Sequence, residues 1–298
     1  MKGIILAAGN GSRLRPLTEG ISKHMLPVFD KPMIYYPLSI LMMAGIKDVL
    51  IITNPQHLES YKSLLNDGSE FGISIKYETQ TTASGIADAF LIGENFIGDD
   101  TVCLILGDNL FFGEGLIQII QNATKLTDGA QIIAKKVNKP ENFGVVEFDE
   151  NLNVISIEEK PSFPKSKFII TGLYFYDNSV VQKAKKLQPS TRGEKEISDI
   201  NNMYLNQNKL KVELLGRGAI WMDMGTIEDY FKANQLIASI ETTRDHKVAC
   251  LEEIALNNGD VTTTFLKTRL SKYENTQYGR YLSNLIEHAT SAKVATRN

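Results

Sequence analysis

Through the first half of the chain, apolar runs of strand length alternate with helix-like stretches. Gly3–Ala7 reads as a strand, Asp48–Thr53 as a second rich in Val, Leu and Ile, Ser74–Thr79 alternates, and Thr101–Leu106 is continuously apolar. Unbroken apolar runs suit strands covered on both faces, as in a parallel sheet. Between them, Tyr35–Ala44 predicts a helix closed by Gly45, with Pro37 tolerable only in its first turn. Asn54-Pro55 predicts a cap and first position for a helix through Leu65, and Ser84 caps a segment whose Ile86, Ala89, Phe90 and Gly93 share a face. This order predicts a doubly wound α/β core.

The pattern then changes. Ala130–Val137, Gly144–Phe148, Val154–Glu158 and Ile169–Tyr176 are strand-like and closely spaced, which predicts a mixed or antiparallel extension of the sheet. Helices return at Asn178–Leu187 and Ile197–Asn206, with a strand at Lys211–Leu215. Thr226-Ile227-Glu228-Asp229 resembles a capping box, followed by a helix with Ile227, Tyr230, Phe231, Asn234 and Ile237 on one face. From about Asp245 strand signals are missing; a final helix carries Tyr278, Tyr281, Leu282, Leu285 and Ile286 on one stripe, and Ser291–Asn298 reads as a frayed tail.

Composition narrows the class. At 298 residues the chain holds one large or two modest domains, and 43% hydrophobic with 22% charged residues excludes global disorder. A net charge of −3 argues against a nucleic-acid binder. No apolar stretch approaches the ~20 residues of a membrane span, and the opening run Ile4–Ala8 is too short for a signal segment, so the expected location is the cytoplasm. The two cysteines, Cys103 and Cys250, exclude a disulfide scaffold; Cys103 reads as a buried thiol.

Candidate chemistry begins where the first strand ends, in Gly9-Asn10-Gly11-Ser12-Arg13-Leu14-Arg15-Pro16. Small residues let a backbone approach a ligand and cradle oxyanions, and Arg13 and Arg15 add charge where a polyphosphate would lie. It is not a P-loop, and Leu14 stands where a dinucleotide fingerprint needs its third glycine. The run Leu6–Leu14 with Lys23 and Pro27, followed by Leu106-Gly107-Asp108-Asn109, Glu158-Glu159-Lys160-Pro161, Thr171-Gly172 and Gly193-Glu194-Lys195-Glu196-Ile197-Ser198-Asp199, resembles the sugar-phosphate nucleotidylyltransferases. Within that family it most resembles the bacterial glucose-1-phosphate thymidylyltransferases, over nearly the whole chain.

The resemblance implies a Rossmann-like doubly wound mixed sheet with a sugar-binding extension. It implies a catalytic domain over 1–240, with nucleotide and sugar lobes, and a C-terminal helical segment over 241–298 serving assembly or regulation. It implies transfer of a nucleotidyl group from dTTP to glucose 1-phosphate with Mg²⁺, in a homotetramer with a second nucleotide site for feedback. By the same resemblance Arg13, Lys23 and Lys160 are catalytic. Gly9, Gly11, Ser12, Arg13, Gln80, Gly85 and Asp108 bind the nucleotide. Phe143, Gly144, Glu159, Lys160, Ile170, Thr171 and Arg192 bind the sugar phosphate, and Asp108 and Asp223 hold the metal.

The chain departs from the family pattern at His24 in place of Gln, Phe143 in place of Tyr, Met222 and Met224 around Asp223, and Thr82-Ala83-Ser84 before Gly85. None removes a charged group. They leave open UTP in place of dTTP and another hexose 1-phosphate, since such choices turn on single hydrogen bonds. A non-catalytic nucleotide-sugar-binding subunit would be expected to lose the charged cluster, and an NAD(P)-dependent enzyme is disfavoured by Leu14 and the loop arginines.

Overall fold

The computed structural model describes residues 1–244 and 246–295. Its strands are β1 Lys2–Ala7, β2 Pro27–Val28, β3 Lys31–Pro32, β4 Asp48–Thr53, β5 Ser74–Thr79, β6 Val102–Leu106, β7 Asn109–Gly113, β8 Ala130–Lys136, β9 Gly144–Phe148, β10 Val154–Glu159, β11 Phe168–Tyr176, β12 Leu210–Leu214 and β13 Ala219–Asp223. The main sheet runs β10-β9-β11-β6-β1-β4-β5, with β8 on β11 and β12 on β8. Strands β6, β1, β4 and β5 are parallel, whereas β11 runs antiparallel to β6, β8 and β9. The expected doubly wound mixed sheet, with its antiparallel extension, is therefore present.

Both faces of the parallel part are covered, which is why its strands read as unbroken apolar runs. Ile4, Leu50 and Leu104 point into one core, while Ile5, Ile51 and Ile105 point into the other, all fully buried. Each such side chain contributes roughly 1.5–3 kcal/mol on burial.

Several local expectations need correction. After Asn54 the chain makes a 3-10 turn, Pro55–His57, and the α-helix is only Leu58–Leu65. Asn54 makes no capping bond; its amide reaches Asn10 instead, at 3.3 Å. Beyond Ser84 a 3-10 turn Ile86–Asp88 precedes two short helices, Ala89–Ile92 and Glu94–Ile97, broken at Gly93. Gly93 packs so closely on Ile4 and Leu50 that a Cβ would lie 3.0 and 3.2 Å from them. Thr226 does cap the helix Ile227–Thr243, accepting from the Asp229 N–H. That helix buries Ala233 and Ile237, however, and leaves Ile227 and Phe231 exposed. The last helix, Gln277–Ala295, buries Leu282 and Ile286 as expected and continues past Ser291; residues 296–298 of the expected frayed tail lie outside the described residues.

A two-stranded ribbon of β7 and β13 had no counterpart in the sequence reading. Its antiparallel register sets Asn109 opposite Asp223, and the Met224 N–H donates to the Asp108 carbonyl at 3.0 Å. Two segments more than a hundred residues apart are thereby stitched together at the carboxyl end of β6.

Beneath this junction His24 is buried against Gly107, where a Cβ would lie 2.7 Å from its ring. Its Nδ1 sits 3.1 Å from the Tyr61 hydroxyl and 3.2 Å from Ser22 Oγ. Burial, then the charge of Lys23, lower its pKa to about 3. The native state thus holds His24 neutral, while the unfolded chain protonates it below its ordinary value near 6.5. Its contribution to stability is complete above that value and falls as pH drops from 6.5 towards 3. At pH 5 the loss is about 2 kcal/mol. Urea unfolding at pH 7.5 and 5.0, without divalent cation, should therefore show wild type losing about that much more stability than His24→Gln. Equal losses would refute the buried neutral imidazole.

Candidate active site

The loop after β1 is shaped by residues that leave room. Gly11 has φ of +61°, and a Cβ there would press on Thr18 at 3.0 Å and Lys23 at 3.2 Å. Leu14 is fully buried and pins the loop, and Thr18 Oγ1 donates to the Gly11 carbonyl at 2.7 Å. Ser12 and Arg13 remain exposed. The Arg13 guanidinium reaches across to Gly225, where a Cβ would lie 2.8 Å from its Nη2 and 2.9 Å from Asp223 Oδ1.

Lys23 leaves the next 3-10 turn, Lys23–Met25, and forms an ion pair with Asp108 at the end of β6. Asn109 holds the other Asp108 oxygen, its Nδ2 donating to Oδ1 at 3.1 Å. Asn109 is itself fixed through its Oδ1, which accepts from the Gly172 N–H at 3.1 Å and from Trp221 Nε1 at 2.5 Å. Trp221 meets the Phe143 ring edge-on, 5.4 Å between centroids.

These groups open onto a cavity of about 760 Å³. It brings together Arg13, Asp108, Phe143, Gly144, Glu159, Lys160, Ile170 and Asp223, which lie on six different segments or strand ends. Burial would raise the Asp108 carboxyl, but the charge of Lys23, with His24 and the bonds from Lys23 and Asn109, holds it well below the usual carboxylate range. Asp223 goes the other way. Burial, then the charge of Asp108, push it up to about 7 against the pull of Lys23 and Arg13. Its Oδ1 is buried with no hydrogen-bond partner. A pair of carboxylates driven apart in acidity beside two cations is a common mark of a functional site.

A model of the nucleotidyl transferase family matches residues 2–240. The chain belongs to the nucleotidyl transferase family. It is 53% identical to a glucose-1-phosphate thymidylyltransferase of Neisseria gonorrhoeae over 96% of this chain and 99% of that protein. A crystal structure from Bacillus anthracis, assigned as a glucose-1-phosphate thymidylyltransferase and holding sucrose, superposes with a TM-score of 0.74 at 43% identity, covering 79% of this chain and 94% of that one. A UDP-glucose pyrophosphorylase complexed with UDP-glucose shares the fold at TM-score 0.69 and 23% identity, over 82% of this chain and 99% of the other.

In this nucleotidyl transferase the remaining candidates lie apart from the cavity lining. Thr171 is a correction: it is fully buried, and its hydroxyl is spent on the Ile133 carbonyl at 2.9 Å. Along β11, Ile170, Gly172 and Tyr174 line the cavity, so strand alternation turns Thr171 to the opposite face. Arg192 sits among carboxylates, 2.6 Å from Glu194, 3.7 Å from Glu159 and 3.8 Å from Glu196. Gln80 is buried at the end of β5, its amide donating to Ser84 Oγ at 3.2 Å and the Gly85 carbonyl at 3.3 Å. Gly85 has φ of +105° and faces the Lys195 backbone, where a Cβ would be 2.4 Å from a carbonyl oxygen.

The sequence reading assigned no individual role to Asn109, Asn138, Lys139, Asn142, Tyr174 or Ser198, all of which line the cavity. Asn109 adjoins a candidate metal ligand in the quoted motif, and that adjacency was the available signal. Asn138, Lys139 and Asn142 lie in a polar turn with no distinguishing pattern.

Gly172 offers a test of this scaffold. A Cβ there would lie 2.8 Å from the Asn109 amide and from Leu106 Cδ1. Asn109 cannot retreat without releasing Trp221 and Asp108. Gly172→Ala should lower kcat about tenfold or more, measured by pyrophosphate release, while the far-ultraviolet dichroism stays native. Unchanged kcat would show that Asn109 does not set the position of Asp108.

Proposed function

We propose that this chain transfers the thymidylyl group of dTTP to glucose 1-phosphate, giving dTDP-glucose and pyrophosphate. One observation carries the reading: Asp108, Asp223 and Arg13 stand in the same cavity as Glu159 and Lys160, with Lys23 paired to Asp108. The first group suits a polyphosphate, and the second suits a sugar phosphate. The family match and the names of its 44–53% identical relatives support the same reaction.

Arg13 and Lys23 neutralise the triphosphate, with the Gly9–Ser12 backbone close behind it. Lys160, backed by Arg192, holds the phosphate of the sugar, and Glu159 accepts hydrogen bonds from the sugar hydroxyls. So placed, a sugar-phosphate oxygen attacks the α-phosphorus in line. The new P–O bond forms as the bond between the α-phosphorus and the bridging oxygen breaks, and pyrophosphate carries away the electron pair. No covalent enzyme intermediate and no general base are needed, because the attacking phosphate is already anionic; orientation and charge neutralisation suffice. Gln80 and the Gly85 backbone read the base.

Asp108 and Asp223 are the residues that would hold Mg²⁺. The fit rests on their chemistry: two carboxylates at one cavity end, one with a buried oxygen that has no partner, match an ion that takes few protein oxygens and completes its shell with water and phosphate. Bound there, Mg²⁺ would supply positive charge that stabilises the phosphates. Among the described residues no helix is long and apolar enough to cross a membrane, and a nucleoside triphosphate substrate suits the cytoplasm. The same reading gives residues 1–240 to catalysis and 241–298 to assembly of a homotetramer or its regulation. The later segment is locked to the earlier one through charges: Lys31 pairs with Glu241 at 2.8 Å, and both are buried.

Pyrophosphate release with dTTP, UTP and CTP against a panel of hexose 1-phosphates tests the reading. The pair dTTP and glucose 1-phosphate should give the highest kcat/KM. No release with any pair would overturn the enzymatic reading, and preference for UTP would overturn the base assignment. Asp108→Asn and Asp223→Asn should each reduce kcat about 100-fold or more with the fold retained; near-normal turnover of either would remove it from the metal site.

A further inference from the structure

Ser198 has no part in the reaction as derived above, yet it lies in the cavity wall. It is the second residue of the helix Ile197–Leu205 and is 1% exposed. Its hydroxyl donates to Oε2 of Glu159 at the end of β10. The opposite wall is Gly144, where a Cβ would fall 3.0 Å from Ser198 Oγ and 3.3 Å from Glu159 Oε2. The bond therefore occupies space that a side chain at position 144 would close.

The helix that carries Ser198 is held in place independently. Ile197 and Ile200 are buried in the core, Asn201 accepts from the Tyr176 hydroxyl at 2.6 Å, and Asn202 donates to the Ile157 carbonyl on β10 at 3.1 Å. Ser198 is thus a fixed donor rather than a mobile one. It pins one oxygen of Glu159, and the other, Oε1, faces Lys160 at 3.9 Å and Arg192 at 3.7 Å. A carboxylate with one oxygen pinned offers its second oxygen at one place and in one direction. Sugars that differ in the configuration of a single hydroxyl would find or miss that acceptor.

We propose that Ser198 is a positioning residue that sets sugar selectivity, by fixing Glu159 so that Oε1 alone is offered to the hydroxyls of the sugar 1-phosphate. The proposal rests on the reading of Glu159 as the sugar acceptor. The Ser198 proton is spent on Glu159, so Ser198 acts through that carboxylate and not on the sugar directly. The cost of losing a buried, well-directed hydrogen bond falls on whichever substrate uses it, and this is how an enzyme separates near-identical ligands.

The bond has a second consequence. The groups facing Glu159 are Ser198, Lys160 beside it, Arg192 and Glu196 from the loop before the helix, and Tyr174 on β11. Burial raises the Glu159 carboxyl, and the Ser198 bond, Lys160 and Arg192 oppose that rise. Removing the Ser198 donor withdraws a bond to the charged form and moves the carboxyl further up.

The test compares Ser198→Ala, Ser198→Thr and Glu159→Gln in the full-length enzyme. Ser198→Ala should raise KM for glucose 1-phosphate about tenfold while KM for dTTP stays within about twofold. The ratio of kcat/KM for glucose 1-phosphate over galactose 1-phosphate should fall by a similar factor. The acid limb of kcat/KM for glucose 1-phosphate should move to higher pH. Ser198→Thr, which keeps the hydroxyl, should restore all three. An unchanged KM and ratio in Ser198→Ala, or an equal rise in KM for both substrates, would overturn the proposal, the latter because it signals only a loosened fold. Glu159→Gln separates the proposal from its foundation. If it leaves KM for glucose 1-phosphate untouched, Glu159 does not read the sugar and both readings fall. If it raises KM while Ser198→Ala does not, only the positioning role falls.

Discussion

Two carboxylates buried side by side repel each other, and each loses the water that would stabilise its charge. Such an arrangement costs several kcal/mol per charge unless each is paired. In this nucleotidyl transferase the compensation is unequal. Asp108 receives the Lys23 ammonium and the Asn109 amide, whereas Asp223 keeps a buried oxygen with no donor. The inequality drives their acidities in opposite directions. Everything else at this end of the cavity is arranged around that imbalance, which a divalent cation carried in with a polyphosphate would relieve.

The imbalance depends on a register. In the ribbon of β7 and β13, Asn109 stands opposite Asp223, so the residue after one carboxylate faces the other carboxylate directly. A slip of one residue would turn Asp223 to the opposite face of the ribbon. Space is kept by residues without side chains. Gly107 admits the His24 ring, Gly172 admits Asn109, and Gly225 admits Arg13. The parallel strands then deliver the ribbon, the glycine loop and β6 to the carboxyl edge of the sheet, where open α/β folds bind their ligands.

The parallel core was legible in the sequence because strands covered on both faces must be apolar along their buried length, as residues 49–52 and Val102–Leu106 are. The glycine loop stood out through the longer string from Leu6 to Pro27 that carries the family resemblance, since its glycine spacing alone fits a plain turn as well. The ribbon was not. β7 and β13 are five residues each, one of them continues almost directly from β6, and their pairing is a long-range fact that no local period announces. Thr171 misled for a related reason. A strand alternates faces, and with Ile170, Gly172 and Tyr174 on the cavity side Thr171 turns away, its hydroxyl on the Ile133 carbonyl. The helix after Thr226 shows the limit of periodicity at a surface: its cap was readable, but Ile227 and Phe231 are apolar and exposed. Ser198 carries no signal by type, since a serine at a helix start is ordinarily a cap; only the position of Glu159 gives it a purpose.

The measurement that bears most directly on this account is an anomalous-scattering crystal structure of the enzyme with Mn²⁺ and a non-hydrolysable dTTP analogue, Mn²⁺ being another cation that prefers oxygen ligands. The account predicts one strong peak bound by an oxygen of Asp108, an oxygen of Asp223 and the α-phosphate. A peak that touches neither carboxylate, or an analogue whose phosphates lie away from Arg13 and Lys23, would contradict it.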